Sequence, residues 1–265
     1  MRTSILAFLA AVILAVGAAS ASAATAISSN WSGYAVTGTT FKTVSGTWVE
    51  PTASCTTAST TTASAFWVGL GGDSNTSNAL EQTGTEADCL ANGTVRYTAW
   101  YELVPKASVK VALKVSAGDK VTGSVSVSGT SVTLKLTNLT THRSFTKTLT
   151  MSAPDVSSAE WIAEAPSTVT PGGTSVLPLT DFGTVKFSKA TAVSTSGHTG
   201  TISDSAWTAS GIELESRTGG GPGGNPFRPY AAYDGGTTAA IPTVLSSSGS
   251  AFSIRFRSGA AIGQV

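Results

Sequence analysis

The stretch Lys120-Val-Thr-Gly-Ser-Val-Ser-Val-Ser-Gly-Thr-Ser-Val-Thr-Leu-Lys-Leu136 decides the fold class. Valine and leucine recur at alternate positions on both sides of the Ser128-Gly-Thr130 turn, which is the pattern of strands with one face in a core and the other in solvent. Two such runs around a short glycine turn indicate a β-hairpin. The same alternation extends outward to Ser108 and Met151. The sequence therefore predicts an all-β protein.

Further strands are predicted on both sides of this region. We expect strands at residues 27–36, 40–51, 65–70, 79–84, 96–104, 176–179, 182–187, 207–214 and 251–256. We expect loops at residues 52–64, 166–173 and 219–226, the last because it is rich in glycine and proline. Neither a linker nor a repeat of fixed period divides the chain. This organisation predicts a single antiparallel β-sandwich with almost no helix.

Residues 1–23 have the features of a secretory signal peptide. Arg2 is followed by an apolar run over residues 5–19 and by the small residues Ala21-Ser22-Ala23, which suit a cleavage site, with Ala19-Ser20-Ala21 as a second choice. No later run is apolar for 18 residues, so no membrane span is predicted. We expect a secreted, extracellular protein with one domain over residues 24–265.

The charges of the chain are few and balanced. Without Arg2 the basic and acidic residues are equal in number, which argues against a nucleic acid or an anionic membrane as partner. We expect a monomer that acts on other polypeptides. Only 15 acidic residues occur in the chain. Because acid denaturation works largely by protonating paired carboxylates, their scarcity is compatible with an acidic habitat.

Cys55 and Cys89 are the only cysteines. In an oxidising compartment an even number of cysteines predicts a disulfide, here one that stabilises the fold by about 4 kcal/mol. The two histidines, His142 and His198, do not form a ligand-like pair, so neither a metal site nor a cofactor is predicted.

The segment Ser158-Ala-Glu-Trp-Ile-Ala-Glu164 concentrates two carboxyl groups around a tryptophan. As a strand, it places Glu160 and Glu164 on one face and Trp161 on the other. As a helix capped by Asp155, it places both glutamates on a wet surface at i, i+4. The spacing alone does not decide between the two.

Two common classes of hydrolase fit poorly. No Gly-x-Ser-x-Gly elbow occurs, and both histidines lie in polar turns, which disfavours a serine hydrolase. On a strand, Glu160 and Glu164 are about 13 Å apart at the backbone, whereas glycosidase carboxyl pairs are about 5–9.5 Å apart.

A set of short motifs resembles one known family. In chain order these are Asn30-Trp-Ser-Gly33, Val44-Ser-Gly-Thr-Trp-Val-Glu-Pro51, Phe66-Trp-Val-Gly-Leu70, Glu81-Gln-Thr-Gly84, Ala99-Trp-Tyr-Glu102, Ala159-Glu-Trp-Ile-Ala-Glu164 and Asp181-Phe-Gly-Thr184. Each motif is weak alone, but the ordered set resembles the glutamic peptidases, or eqolisins, and their bacterial branch in particular. The similarity covers residues 28–190 well and the C-terminal quarter loosely.

The resemblance implies a fold, an activity and a site. The fold is a concanavalin A-like sandwich of two large antiparallel sheets, in which the 158–164 segment is a strand. The activity is that of an acid-acting endopeptidase that forms no covalent intermediate. The implied catalytic residues are Gln82 and Glu164, and Trp31 matches a tryptophan that lines the substrate cleft.

The chemistry of such a pair can be stated from the side chains. Ionised Glu164 would take a proton from an attacking water, and the Gln82 amide would donate to the developing oxyanion. Since a glutamate with a pKa near 4.3 is mostly neutral at pH 3, we expect Gln82 and its neighbours to favour the charged form by hydrogen bonding. Glu81, Glu102 and Glu160 receive no role.

One departure from the family pattern and one competing function remain. Fungal members commonly have an aspartate where Gly71 stands, so a hydrogen-bonding group near the site is missing or replaced. The competing function is that of a non-catalytic sandwich module that binds saccharide or protein. The pairing of Gln82 with Glu164 favours the enzyme, because a binding module needs neither residue. Digestion of casein across pH 2–7 distinguishes the two functions experimentally.

Overall fold

A computed structural model describes residues 24–55, 60–73, 77–170, 173–216 and 237–258. These residues form 18 strands: β1 Ala24–Ser28, β2 Trp31–Thr37, β3 Phe41–Val49, β4 Ala65–Leu70, β5 Leu80–Cys89, β6 Val95–Val104, β7 Val109–Val111, β8 Lys120–Ser128, β9 Ser131–Asn138, β10 Arg143–Thr150, β11 Ala159–Glu164, β12 Ser167–Thr170, β13 Gly173–Val176, β14 Thr184–Ser194, β15 Thr199–Gly200, β16 Thr208–Ser216, β17 Thr237–Pro242 and β18 Phe252–Phe256. The described ranges contain no helix, and hence none long and apolar enough to cross a membrane. The predicted signal peptide and the predicted loop 219–226 lie outside them.

The main hydrogen-bonded path runs in the order β10-β9-β8-β3-β14-β18-β17-β16-β2-β11-β4-β5-β6-β7. The two halves of this path fold over each other and form a two-layered sandwich. Strands β3 and β8 in one layer face β4, β5 and β11 in the other. Strand β17 joins the two layers by pairing with β18 on one side and β16 on the other. The predicted antiparallel β-sandwich is therefore confirmed, with the two layers continuous through β17 rather than separate. Within it only the pairing of β1 with β16 is parallel among the described strands.

The core between the layers is apolar and contains several aromatic residues. Trp48 and Trp161 are fully buried there. The indole of Trp48 donates to Thr85 on the opposite layer (2.8 Å), and that of Trp161 donates to the backbone oxygen of Ser45 (2.8 Å). These bonds satisfy the polar atoms of large core side chains and fix how the layers are aligned.

The carboxyl group of Glu50 is buried in this core. Its Oε2 accepts a hydrogen bond of 2.5 Å from Thr85, and its Oε1 has no partner among the described residues. Burial raises the pKa of Glu50 to about 8, against the hydrogen bond from Thr85, and the nearby charges of Asp119 and Asp88 raise it further. Since none of the described residues places a cation beside it, Glu50 is protonated in the folded protein at acidic pH.

The predicted disulfide is confirmed. Cys55 and Cys89 are bonded, with their Cα atoms 5.3 Å apart. The bond attaches the loop before β4 to the end of β5, and a bridge between Thr62 and Cys89 reinforces the same junction.

Several predicted element bounds are wrong. The strand expected over residues 27–36 is two strands, because Ser28 Oγ accepts from the backbone N–H groups of Asn30 and Trp31 and turns the chain there. Residues 166–173 were expected to be a loop, but they include β12, which forms a hairpin with β13.

Three further differences concern the C-terminal half and β5. The strand expected at residues 176–179 is absent, since β13 ends at Val176 and Leu177 instead bonds to the oxygen of Pro166. Strands β5 and β14 are longer than predicted, and β17 was not predicted at all.

Candidate active site

Strand β11 places two carboxyl groups on the face of its sheet that points away from the sandwich core. The segment Ala159–Glu164 is a strand, as the resemblance implied, between β2 and β4. Since Trp161 points into the core, Glu160 and Glu164 share the opposite face. Asp155 caps no helix. Its carboxylate accepts from the backbone of Ser157 (2.9 Å) in a short turn before β11.

Three rows of side chains cross this outer face, because directly paired residues on neighbouring strands point to the same side. From β2 to β6 the rows are Ala35-Glu160-Gly69-Gln82-Glu102, Gly33-Ile162-Trp67-Gly84-Trp100 and Trp31-Glu164-Ala65-Glu86-Thr98. The face thus combines small residues, tryptophans, carboxyl groups and one amide. A Cβ at position 84 would lie 2.6 Å from that of Trp67, so the glycine there makes room for this ring.

Glu164 accepts hydrogen bonds on both carboxyl oxygens. Asn30 Nδ2 donates to Oε1 (3.1 Å) and Trp67 Nε1 donates to Oε2 (2.8 Å). Asn30 is held for this by the turn at Ser28, whose hydroxyl donates to its side-chain oxygen (3.2 Å). Glu164 is 8% exposed. The carboxyl group is therefore fixed in orientation and nearly removed from water.

The pKa of Glu164 is shifted in the direction opposite to our expectation. Burial raises it to about 8 and the charge of Glu102 adds to this, while hydrogen bonding by Trp67, Trp31 and Asn30 lowers it by less. Neighbours do donate to the carboxyl group, as expected, but desolvation of the charge outweighs them. In acid Glu164 is a neutral carboxylic acid.

Gln82 lies in the first row and bonds to a residue to which the sequence analysis gave no role. Its Nε2 donates to Glu102 Oε2 (2.7 Å). Gln82 is 2% exposed, and its Oε1 has no partner among the described residues. Glu102 also lies close enough to Glu164 for its charge to act on that carboxyl group. The sequence did contain a signal for Glu102. It lies in the motif Ala99-Trp-Tyr-Glu102 on β6, and β6 could have been expected to pair with β5 because the two strands are consecutive in the chain.

The structure brings Gln82 and Glu164 to the same face but not into contact. Strand β4 lies between them and they differ by two rows, so their Cα atoms would be roughly 16 Å apart on a flat sheet. Because the two side chains do not touch, both can act on one peptide bond only if that bond lies between them.

Trp31 lies beside Glu164 in the third row, packed edge-on against Trp67 with ring centroids 5.0 Å apart. Both rings are fully buried, and Trp100 is 4% exposed. The indole nitrogens of Trp31 and Trp100 have no hydrogen-bond partner of good geometry among the described residues. Buried polar groups are normally paired, so these N–H groups are available to an acceptor on a ligand.

Asp155 occupies the space that a side chain at position 71 would need. Gly71 has φ +84°, and a Cβ there would lie 2.5 Å from that of Asp155. The Asp155 carboxylate accepts a hydrogen bond from the backbone N–H of Gly72 (3.3 Å), and the backbone N–H of Asp155 donates to the carboxyl group of Glu81 (3.1 Å). Asp155, from the turn before β11, thus places a carboxylate beside Gly71.

Glu160, in the first row, belongs to a second group of acids. It is fully buried, and both its carboxyl oxygens lack partners among the described residues. Burial raises its pKa well above the usual range, against a contribution from Ser158, and the charges of Asp73, Asp155 and Glu81 act in the same direction as burial. Among the described residues no group of three or more acidic, histidine or cysteine side chains is arranged to hold a metal ion.

Comparison with known proteins identifies the family. The model of the Peptidase A4 family matches residues 29–218, more than half of the chain. The chain belongs to the Peptidase A4 family. The resemblance drawn from the motifs is therefore confirmed at the level of the family.

Two curated relatives of this Peptidase A4 protein are fungal. Aspergillopepsin-2 of Aspergillus niger is 31% identical over 189 residues, which are 63% of this chain and 65% of the relative. Scytalidopepsin B of Scytalidium lignicola is 38% identical over 123 residues, 46% of this chain and 44% of the relative. The matches thus span less than two thirds of each curated relative.

Solved structures show the same fold over more of the chain. Scytalido-glutamic peptidase in complex with a transition state analogue inhibitor has a TM-score of 0.67 and 26% identity, covering 86% of this chain and 98% of its own. Aspergilloglutamic peptidase from Aspergillus niger has a TM-score of 0.56 and 27% identity, covering 74% and 99%. The Peptidase A4 protein described here shares the β-sandwich of these peptidases.

Proposed function

We propose that this Peptidase A4 protein is a secreted endopeptidase that hydrolyses peptide bonds in acid, with Glu164 and Gln82 as its catalytic pair and no covalent intermediate. The observation that carries the proposal is a buried carboxyl group, held by Asn30 and Trp67, on the same sheet face as a buried amide. Family membership supports the reaction class.

Glu164 starts the reaction as a neutral acid. With its pKa at about 8, ionising it first at pH 4 would add about 5 kcal/mol to the barrier. A neutral carboxyl group can instead donate a proton from one oxygen while accepting one on the other. The raised pKa therefore suits work in acid, but through a form of Glu164 different from the carboxylate that the sequence analysis assumed.

The proposed addition step conserves every proton. The water oxygen bonds to the scissile carbonyl carbon, one water proton moves to Glu164, and the Glu164 O–H proton moves to the carbonyl oxygen. This gives a gem-diol and a neutral Glu164. In the second step a gem-diol hydroxyl returns a proton to Glu164 while Glu164 protonates the leaving nitrogen and the C–N bond breaks.

Gln82 supports the carbonyl oxygen during both steps. An amide N–H aimed at the position where charge develops stabilises the transition state, and in a buried site the gain is larger than in water. The indole N–H groups of Trp31 and Trp100, which have no partner of good geometry among the described residues, can hold peptide carbonyls on either side. This keeps Trp31 as the proposed substrate-binding residue.

Substrate binding must expose this face. Trp31, Trp67 and Ile162 are fully buried in the structure, so a peptide reaches Glu164 only when the face opens. Family membership favours the peptidase over the competing saccharide-binding function. We therefore retain the peptidase as the one proposed function.

The location and extent of the active protein are part of the proposal. We propose that residues 1–23 are removed during secretion and that residues 24–265 act as a monomeric domain on polypeptides. The placement in the bacterial branch rests on the motif set alone. N-terminal sequencing of protein from the culture medium tests the cleavage point, with Ala24 as the expected first residue.

Three isosteric or truncated variants test the catalytic assignment by peptide hydrolysis at pH 4. Glu164→Gln keeps the shape but cannot relay protons, so turnover is expected to fall to background. Gln82→Ala removes one oxyanion donor and is expected to lower turnover by about 10²–10³. Glu160→Gln is the matched control and is expected to keep most of the activity.

Each variant is first shown to melt like the parent. A dead Glu160→Gln together with an active Glu164→Gln would transfer the catalytic role to the first glutamate of β11. Normal cleavage by all three variants would refute the peptidase assignment of this face. Binding of a saccharide with no casein digestion at any pH would favour the binding module.

A further inference from the structure

We propose that Glu102 is a positioning residue for Gln82: as a neutral carboxylic acid it forms a two-bond ring with the Gln82 amide and aims the remaining amide N–H at the substrate. The inference rests on the proposed function, since it deepens the role of the same site. In this proposal the protonation state of Glu102 determines how firmly the Gln82 amide is oriented.

The geometry of the pair supports a ring. Gln82 and Glu102 are direct partners on β5 and β6, and their side chains point to the same face. Gln82 Nε2 lies 2.7 Å from Glu102 Oε2, while Gln82 Oε1 is buried without a partner among the described residues. A primary amide and a carboxylic acid placed in this way have complementary groups, namely N–H with C=O and C=O with O–H.

Only the neutral acid can complete the ring. A carboxylate accepts hydrogen bonds and donates none, so it satisfies Gln82 Nε2 but leaves Gln82 Oε1 buried beside a negative group. A protonated Glu102 can donate to that oxygen. The protonated form thus holds the amide by two bonds, and the ionised form holds it by one.

The charges around Glu102 favour protonation. Burial raises its pKa to about 7, against the hydrogen bond from Gln82, and the charge of Glu86 adds to the rise while a backbone bond from Ser108 opposes it. From β11, Glu164 faces it with a further carboxyl group. On β7, Lys110 pairs with Trp100, and its charge acts on Glu86.

The consequence is a preorganised oxyanion donor in acid. The amide has two N–H groups, one of which bonds to Glu102, so the other is fixed by the same ring and can point across β4 toward Glu164. Above pH 7 the amide loses one of its two bonds and its orientation is less constrained. The pair is therefore expected to act better in acid even though Gln82 itself does not titrate.

The first experiment observes the Gln82 amide without using activity. The chain has only two glutamines, Gln82 and Gln264, so labelling glutamine with 15N gives few side-chain amide signals. In Glu164→Gln protein, which cannot digest itself but contains a third glutamine, the Gln82 signals are assigned by their loss on adding Gln82→Ala. They are expected to shift with a midpoint near pH 7, and Glu102→Gln is expected to abolish the shift.

The second experiment uses activity at pH 4, with kcat and KM measured separately for variants that melt like the parent. Glu102→Gln can form an amide–amide ring and is expected to stay within a few-fold of the parent in kcat. Glu102→Ala is expected to lose about 10–100-fold in kcat with little change in KM, because Gln82 acts mainly in the transition state.

The outcomes separate the two proposals. Gln82 signals that do not move, or that move equally in Glu102→Gln, would overturn the positioning role, as would an undiminished kcat in Glu102→Ala. Equal losses in Glu102→Gln and Glu102→Ala would also refute the ring. A parent that cleaves no peptide while its Gln82 amide titrates through Glu102 would refute the proposed function and leave the ring standing.

Discussion

Replacing Glu50 by glutamine should make the protein less sensitive to rising pH. Glu50 is buried between the layers, with one oxygen bonded to Thr85 and no cation beside it in the part of the chain that the structure describes. Glutamine has nearly the same shape and does not ionise. The substitution therefore removes the titration and keeps most of the packing.

The size of the effect follows from the raised pKa. Between pH 4.5 and 8 an unfolded chain ionises Glu50 while the folded protein keeps it neutral, so the free energy of unfolding falls as pH rises through this window. Below pH 4.5 both states are neutral and the contribution is zero. At pH 7 the lost stability is about 3 kcal/mol, from 2.5 pH units at about 1.4 kcal/mol each. Glu50→Gln should recover about this amount at pH 7 relative to pH 4.

The assay is urea unfolding at pH 4 and pH 7, followed by tryptophan fluorescence in a Glu164→Gln background that prevents self-digestion. The quantity compared is the difference between the two unfolding free energies, because the new amide can alter stability equally at both pH values. Glu213→Gln makes the same chemical change at a partly exposed position and should follow the parent. If Glu50→Gln loses as much stability as the parent between pH 4 and pH 7, the reasoning about the buried carboxyl group is wrong.

Three other predictions concern activity and stability. Peptide kcat should hold in acid, begin to decline near pH 7 as Glu102 ionises, and fall about tenfold per pH unit above pH 8, since neutral Glu164 is the working form; a rise through pH 8 in a pH–rate profile would contradict this. Replacing both Cys55 and Cys89 by serine should lower the unfolding free energy by about 4 kcal/mol in urea titrations at fixed pH, and a loss below about 1 kcal/mol would show that the bond constrains little. Gly71→Asp should lower the melting temperature because its Cβ would meet the Cβ of Asp155, and adding Asp155→Gly, which removes that atom, should restore part of the loss; no restoration would mean that the contact is not the cause.

The β class and the central strand could be predicted because their signals are local or distinctive. Val121, Val125 and Val127 occupy alternate positions of one strand and therefore share one sheet face. Element bounds failed where pairing is decided by distant partners. Strand β17, at residues 237–242, is short and has little alternation, and it exists because it joins β16 to β18.

The candidate site was predictable in its residue types but not in its electrostatics. The motifs carried Gln82 and Glu164 by resemblance, and the structure places both on one sheet face. The direction of the pKa shift depends on how completely the face is desolvated, which spacing along the chain does not reveal. Glu102 was missed for the same kind of reason, because its role follows from a cross-strand pair and an unpartnered oxygen on Gln82.

The pairing order of the strands has a consequence for how the chain reaches this state. Strand β2 carries Trp31 and needs β11 and β16 as neighbours, and β1 pairs Ala24 with Ser210, roughly 190 residues later. The N-terminal strands therefore have no partners for their backbone hydrogen bonds until most of the chain has been synthesised. Contacts this distant in sequence make folding slow, and exposed strand edges associate with other chains in the meantime. Refolding should accordingly succeed best in dilute solution, with aggregation rather than misplaced helices as the competing outcome.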